Sequence, residues 1–285
     1  MKPIAILQHE ATQGPGILLD HLQQQGLPYR LMRPALGDGA PICARDYSGI
    51  VVLGSNHCAN EDLDWMAQER RLLHHALSCD VPVLGHCFGA QMLARAMGAR
   101  VRRNPCPSIG WTPVWVTHAA QQCLQLPAQA TLFHWHYDTF EIPPGARRSM
   151  YGTYCLNQGF VHGPHWAFQG HLEVTEASVR AWCRDGHDEL RHARGPAVQH
   201  ESQILGLLPQ HIGQLHALAL RCYSAWTQHI QHPLQGDGPV HPAQWPPTPA
   251  PGCTKPPSAP HTALALDYQA PLAMQTKAIL AQAVR

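Results

Sequence analysis

Cys87 stands between two glycines in Gly85-His86-Cys87-Phe88-Gly89, directly after the apolar run Val81-Pro82-Val83-Leu84 and directly before Ala90-Gln91-Met92-Leu93-Ala94-Arg95-Ala96-Met97. An apolar run followed by strong helix formers reads as strand, sharp turn and helix, with Gly98 as the helix stop. Such a turn needs residues without a Cβ on either side of its centre, so Gly85 and Gly89 mark Cys87 as the centre of a nucleophile elbow. At a helix N-terminus the unpaired amides and the helix dipole favour a thiolate over a thiol, and the thiolate is the nucleophilic form. A cysteine nucleophile needs a base, and the base needs an orienting partner. Phe168-Gln169-Gly170-His171-Leu172-Glu173 offers both. In an extended segment residues two apart point to one side, so His171 and Glu173 can stand together at the carboxyl edge of a sheet and complete a Cys-His-Glu triad.

The elements that must hold these residues are legible as alternating short apolar runs and helical patterns, the signature of βαβ units and a largely parallel sheet. Strands are expected over Pro3 to Gln8, Tyr29 to Arg33 and Gly49 to Gly54, and amphipathic helices over Gly16 to Gln25 and Asp62 to Ser78. Beyond the elbow helix, Val101 and Trp111 to Thr117 read as strands of a more antiparallel region, and Trp166 to Gln169 as a short strand before His171. Pro209 to Ile230 reads as an amphipathic helix with Ile212, Leu215, Leu218, Leu220, Cys222 and Trp226 near one face. The organisation expected is one α/β domain over 1–230, a proline-rich disordered linker or tail over 231–270, and a weakly helical segment over 271–285.

Composition narrows the function classes. The 285 residues, 45% of them hydrophobic, can fill the core of one large domain. Twenty basic against nineteen acidic residues leave a formal charge of +1, with no basic cluster interleaved with aromatics, so nucleic acid is not an expected partner. No apolar stretch reaches the length of a membrane span or a signal peptide, so no membrane partner is expected and the cytoplasm is the expected location. The ten cysteines include no Cys-x-x-Cys pair and read as reduced thiols. The 21 histidines invite a metal reading, and Phe133-His134-Trp135-His136 would put two imidazoles on one strand face. No carboxylate or cysteine at ligand spacing completes a set there, so neither a metal nor a cofactor is expected.

Taken in order, the strand Gly49 to Gly54, the elbow Gly85 to Gln91, Ile109-Gly110-Trp111, Phe133 to Asp138, Asn157 to Phe160 and Phe168 to Thr175 resemble the class I glutamine amidotransferases, especially domains like the glutaminase part of GMP synthase. The resemblance covers roughly residues 1 to 185. It implies a flavodoxin-like, mostly parallel sheet flanked by helices, and a glutaminase in which Cys87 attacks the glutamine side-chain amide, His171 is the general base and Glu173 holds the imidazole. It further implies oxyanion donors at Phe88 and in the loop Gly54-Ser55, and a substrate pocket touched by Gln91 and lined by a loop carrying His136, Tyr137 and Asp138. The expected ligand is glutamine or another γ-glutamyl small molecule. No ATP-binding or synthetase motif is present, so a separate synthetase or other acceptor protein is the expected partner for the ammonia released.

The chain also departs from the family pattern. Ser55 replaces the second glycine of a pair, Asn56-His57 follows where proline and methionine are usual, and Ser108 precedes Ile109-Gly110-Trp111 in place of a glutamate. Tyr137 replaces a glycine, which could narrow the pocket or suit a larger γ-glutamyl compound; Leu172 replaces a frequent proline. Two alternatives to the glutaminase reading follow: a γ-glutamyl peptide hydrolase using the same triad, and a catalytically silent binding or regulatory protein.

Overall fold

The computed structural model describes residues 1–124 and 126–231. Past Gln231, the expected proline-rich stretch and the weakly helical segment lie outside the described residues. In chain order the elements are β1 (Ile4–Leu7), α1 (Gly16–Gln24), β2 (Tyr29–Met32), β3 (Gly49–Val52), α2 (Asp64–Ser78), β4 (Val83–His86), α3 (Phe88–Ala96), β5 (Val101–Val116) and α4 (His118–Leu124). They continue with β6 (Gln129–Phe140), β7 (Arg147–Tyr151), β8 (Gly159–His162), β9 (His165–Phe168), α5 (Glu176–Asp185), α6 (His187–His192), β10 (Ala197–Val198) and α7 (Glu201–Gln231).

The strands form one mixed sheet in the order β10-β5-β7-β8-β9-β4-β3-β1-β2, with β6 paired to β5. Its main parallel part is β2-β1-β3-β4-β9, the flavodoxin-like order in which sites form beyond the carboxyl ends of the strands, and β10 also pairs parallel with β5. Residues β1, β3 and β4 are buried along their whole lengths, because helices cover both faces. In β1, Ile4 and Ile6 join a core with Leu18 and Leu22 of α1, Val179 of α5 and Trp226 of α7, while Ala5 and Leu7 join another with Leu72 of α2 and Leu93 of α3. This period-two division between two apolar layers fixes the register of the strand.

From β9 onwards to β8, β7, β5 and β6 the pairing is antiparallel. The antiparallel region is larger than Val101 and Trp111 to Thr117 suggest, because β5 runs unbroken for 16 residues and pairs with the 12-residue β6. Proline and polar residues at Asn104-Pro105-Cys106-Pro107 disguise that strand in the sequence; the register shifts there, between Arg103 and Ser108, so the prolines sit at an irregularity where a ladder donor is dispensable.

The last described helix starts at Glu201, eight residues before the expected Pro209, which lies inside it. Proline removes one intrahelical donor and normally ends a helix. Here Pro209 is on the exposed side, and Ile204 and Leu208 begin the buried stripe that continues through Leu215, Cys222 and Trp226. Helix α5 begins at Thr175, whose hydroxyl accepts from the Ser178 amide at 3.2 Å while the Thr175 amide donates to Ser178 Oγ at 2.7 Å, a reciprocal cap worth about 1 kcal/mol.

Candidate active site

Four carboxyl-end segments of the parallel strands converge: His9 after β1, Gly54 after β3, Cys87 after β4 and His171 after β9. Between β4 and α3 the chain reverses at a single residue, Cys87, with φ 50° and ψ −108°. This left-handed, strained conformation costs an L-residue about 1–3 kcal/mol, held by the surrounding hydrogen bonds. The Cys87 amide donates to the Phe168 carbonyl at 2.8 Å, and the Cys87 carbonyl accepts from the Gln91 amide at 3.1 Å. The flanking glycines are required by contact. A Cβ on Gly85 would lie 2.6 Å from the Gly89 carbonyl, and one on Gly89 would lie 2.0 Å from the Val52 oxygen.

The extended segment after β9 does bring His171 and Glu173 together. His171 Nδ1 is 2.6 Å from Glu173 Oε1, both side chains are buried, and the His171 amide donates to the Phe133 carbonyl at 2.8 Å. The imidazole packs T-shaped against the Trp182 ring, their centroids 4.8 Å apart. Burial alone would lower the His171 pKa, but the neighbouring Glu173 carboxylate and Cys87 sulfur push it up to about 10. Burial would likewise raise Glu173, yet the charge and hydrogen bond of the His171 ring hold its carboxyl below the ordinary value. An imidazolium at His171 is the counter-ion that a Cys87 thiolate needs. The Gln169 side-chain amide faces the Cys87 sulfur at 3.7 Å, and the Trp135 carbonyl lies 3.9 Å from it.

The glycine loop approaches the same point. A Cβ on Gly54 would come within 2.9 Å of His171 Cε1, so only glycine lets the loop lie this close to the imidazole. Ser55 has an ordinary negative φ, so its Cβ does not strain the loop. Its hydroxyl instead joins a brace: it donates to Glu10 Oε1 at 3.2 Å, which also accepts from the Asn56 amide at 3.0 Å, and it accepts from the His57 amide at 3.2 Å. Gln13 reaches Asn56 at 2.8 Å. Phe88, the first residue of α3, places its amide at the helix N-terminus beside Cys87.

The remaining expected site residues adjoin β5 and β6. Gln91, one turn into α3, donates to the Asp138 carbonyl at 3.1 Å and lies 3.4 Å from Gln169 Oε1. His136 Nδ1 donates to the same carbonyl at 3.0 Å. His136, Tyr137 and Asp138 are not on a loop: they belong to β6, where His136 pairs with Ser108 and Asp138 with Arg103. The alternation of Phe133-His-Trp-His-Tyr-Asp138 is that of a strand, and His134 and His136 do share a face, their rings 5.5 Å apart. Burial pushes His136 down to about 4. Asp138 accepts from Cys58 Sγ at 3.1 Å and pairs with Arg103 at 3.6 Å, and the Arg103 guanidinium lies over the Tyr137 ring at 4.4 Å. Among the described residues no group of three or more His, Cys, Asp or Glu side chains is arranged to hold a metal ion.

Residues 19–181 match the family model of class I glutamine amidotransferases. The chain belongs to this family. A solved glutamine amidotransferase from Methylobacillus flagellatus superposes with a TM-score of 0.78 at 37% identity, over 85% of this chain and 98% of that one. The glutamine amidotransferase-like protein YfeJ of Salmonella typhimurium is 26% identical over 66% of this chain and 82% of its own length. Gamma-glutamyl peptidase 4 of Arabidopsis thaliana is 29% identical over 45% of this chain and 55% of its own. Several groups that enclose the site have no part in the sequence analysis. Gln169 lies inside the Phe168 to Glu173 motif, where the sequence assigns it no role. His9 and Glu10 follow the first strand, whose carboxyl end a doubly wound fold always brings to the site, so topology could have flagged them. His86 lies inside the elbow motif without a role of its own, and Glu69 and Tyr223 carry no local signal.

Proposed function

We propose that this chain hydrolyses a γ-glutamyl amide, with L-glutamine as the leading substrate. The observation that carries the reading is the buried His171–Glu173 pair at 2.6 Å, standing with Cys87 at a strained strand-to-helix turn. The Cys87 sulfur attacks the side-chain carbonyl carbon, forming a C–S bond, and the oxyanion is met by the Phe88 and Ser55 amides. The C–N bond then breaks as His171 gives its proton to the leaving nitrogen, releasing ammonia and leaving a glutamyl thioester. His171 next takes a proton from water, whose oxygen attacks the thioester; the C–S bond breaks, glutamate departs and the thiolate–imidazolium pair is restored. Gln91, His136, Tyr137 and Asp138 line the pocket for the glutamyl group. Ammonia passes to a synthetase or other acceptor protein.

Gamma-glutamyl peptide hydrolysis is the second reading, favoured by Tyr137 and Arg103 beside Asp138 and by the likeness to a gamma-glutamyl peptidase. The deciding experiment measures ammonia and glutamate release from L-glutamine, and glutamate release from γ-glutamyl dipeptides, by wild type and Cys87→Ala. Cysteine-dependent ammonia from glutamine supports the glutaminase; release from dipeptides alone supports the hydrolase; silence on both would sink the two enzymatic readings.

A further inference from the structure

Helix α2 buries a carboxylate in its apolar stripe. Glu69 is fully buried among Met66, Leu72, Leu73 and Ala76, and Oε1 meets His9 Nε2 at 2.8 Å while Oε2 has no hydrogen-bond partner among the described residues. His9 is equally enclosed, its ring 5.1 Å from Trp65 and 5.0 Å from Phe88. Its other nitrogen, Nδ1, lies 3.0 Å from the Gly54 carbonyl oxygen. With Glu69 as a carboxylate, both nitrogens donate, so His9 is an imidazolium. Burial would lower its pKa, but the Glu69 charge and hydrogen bond, with the Gly54 carbonyl, hold it above the ordinary value.

A buried ion pair is a poor device for stability alone, because apolar residues of similar volume usually do as well or better. This one ends on a single backbone oxygen. The Gly54–Ser55 peptide is trans, so its carbonyl and its N–H point in opposite directions. Fixing the Gly54 oxygen toward His9 therefore turns the Ser55 N–H away from His9. No backbone acceptor among the described residues takes that N–H. On the other side of His9, Phe88 opens α3 next to Cys87, and Gly54 itself borders His171.

We propose that the His9–Glu69 pair is the positioning device of the oxyanion site: it locks the Gly54–Ser55 peptide in the orientation that aims the Ser55 N–H at the oxyanion formed on the Cys87 adduct. The proposal rests on the γ-glutamyl amidohydrolase reading. His9 is a positioning residue, since it touches the peptide and not the substrate.

Two double variants isolate the donor to Gly54. His9→Phe with Glu69→Leu fills the space and removes it; His9→Asn with Glu69→Leu keeps an amide nitrogen near the place of Nδ1. The phenylalanine variant is expected to lose about 10²- to 10³-fold in kcat, the usual effect of losing one oxyanion donor, with KM within about threefold of wild type. The asparagine variant is expected to recover to within about tenfold of wild type. Iodoacetamide alkylation of Cys87, which needs no oxyanion site, is expected to stay within about twofold in both. Equal kcat in the two variants, or a parallel loss of alkylation, would overturn the proposal. A second measurement stands apart from activity and from variant yield. Gly54-Ser55 is the only Gly-Ser pair in the chain, so glycine labelled with ¹³C at the carbonyl and serine labelled with ¹⁵N give one carbonyl–amide correlation. In wild type its carbonyl resonance is expected downfield, moving as His9 titrates; a carbonyl shift that ignores His9 would refute the lock. If wild type cleaves no γ-glutamyl compound, the functional reading falls while this resonance still reports on the His9–Gly54 bond.

Discussion

His86 Nδ1 lies 3.4 Å from Glu173 Oε2, the carboxylate oxygen that His171 leaves unused. On its other side His86 Nε2 meets the buried Tyr223 hydroxyl at 3.4 Å. Burial keeps the His86 pKa below and the Tyr223 pKa well above their ordinary values, so both are neutral at pH 7. A neutral dipole backs the carboxylate without competing for the charge that Glu173 offers His171. His86→Leu removes it and is expected to lower kcat/KM for glutamine about tenfold. Tyr223→Phe, one step further out, is expected to change it by less than about threefold. Steady-state kinetics of both variants check this; an unchanged His86→Leu enzyme would remove His86 from the site.

The elbow glycines and the helix-stop glycine tolerate a methyl group very differently. At Gly89 a Cβ would sit 2.0 Å from the Val52 oxygen of a central strand, and neither backbone can yield without parting α3 from β3. Gly98 has φ 83° but nothing within 4 Å of its Cβ position, so only left-handed strain opposes a side chain there. Gly98→Ala is therefore expected to lower the unfolding free energy by about 1–2 kcal/mol. Gly89→Ala is expected to lose at least about 3 kcal/mol, beyond the usual range for overpacking, or to give no folded protein. Urea titrations measure both, and equal midpoints would contradict the contact argument.

What the sequence discloses follows from how local each determinant is. The elbow was legible because its demands fall on adjacent residues, Gly85 to Gly89, and His171 with Glu173 because two residues on one extended segment set their geometry. The parallel strands were legible because burial on both faces leaves unbroken apolar runs such as Gly49 to Gly54. By contrast the sequence pattern splits β5 into two pieces, since Pro105 and Pro107 sit at its bulge, and starts α7 at Pro209 although its stripe begins at Ile204. The supports of the site were hidden for another reason. Glu69 contacts His9 across 60 residues and Tyr223 contacts His86 across 137, and no spacing in one chain encodes such pairs.

Buried histidines divide into two sets with opposite effects on stability. Burial, with neighbouring imidazoles adding to it, holds His136 at about 4 and His165 at about 3, below the ordinary 6.5. Between those values and 6.5 the unfolded chain binds protons that the folded one refuses, so stability falls as pH drops below about 6.5. The slope is on the order of 1 kcal/mol per pH unit for each histidine. His171 and His9 are raised, so their contribution is complete below 6.5 and is lost as pH rises through their folded values, about 10 for His171. Unfolding free energy is thus expected to be greatest near pH 6.5. Urea denaturation at pH 5, 6.5 and 9 tests this, and stability that climbs steadily to pH 9 would contradict it.

Arg103 supplies a handle on substrate choice. Its side chain is over half exposed, and its guanidinium lies over the Tyr137 ring at 4.4 Å and pairs with Asp138 at 3.6 Å, the residue whose carbonyl accepts from Gln91 at 3.1 Å. A γ-glutamyl dipeptide carries beyond its scissile bond a carboxylate that glutamine lacks. If that carboxylate meets Arg103, removing the charge weakens the dipeptide selectively, by the 1 kcal/mol or so typical of a solvent-exposed ion pair. Arg103→Ala is expected to lower kcat/KM for γ-glutamyl dipeptides about fivefold while leaving glutamine within about twofold. The effect should fade as salt is raised, because exposed charge pairs are screened. An equal loss on both substrates would instead tie Arg103 to the glutamyl group they share, through its hold on Asp138 and Tyr137.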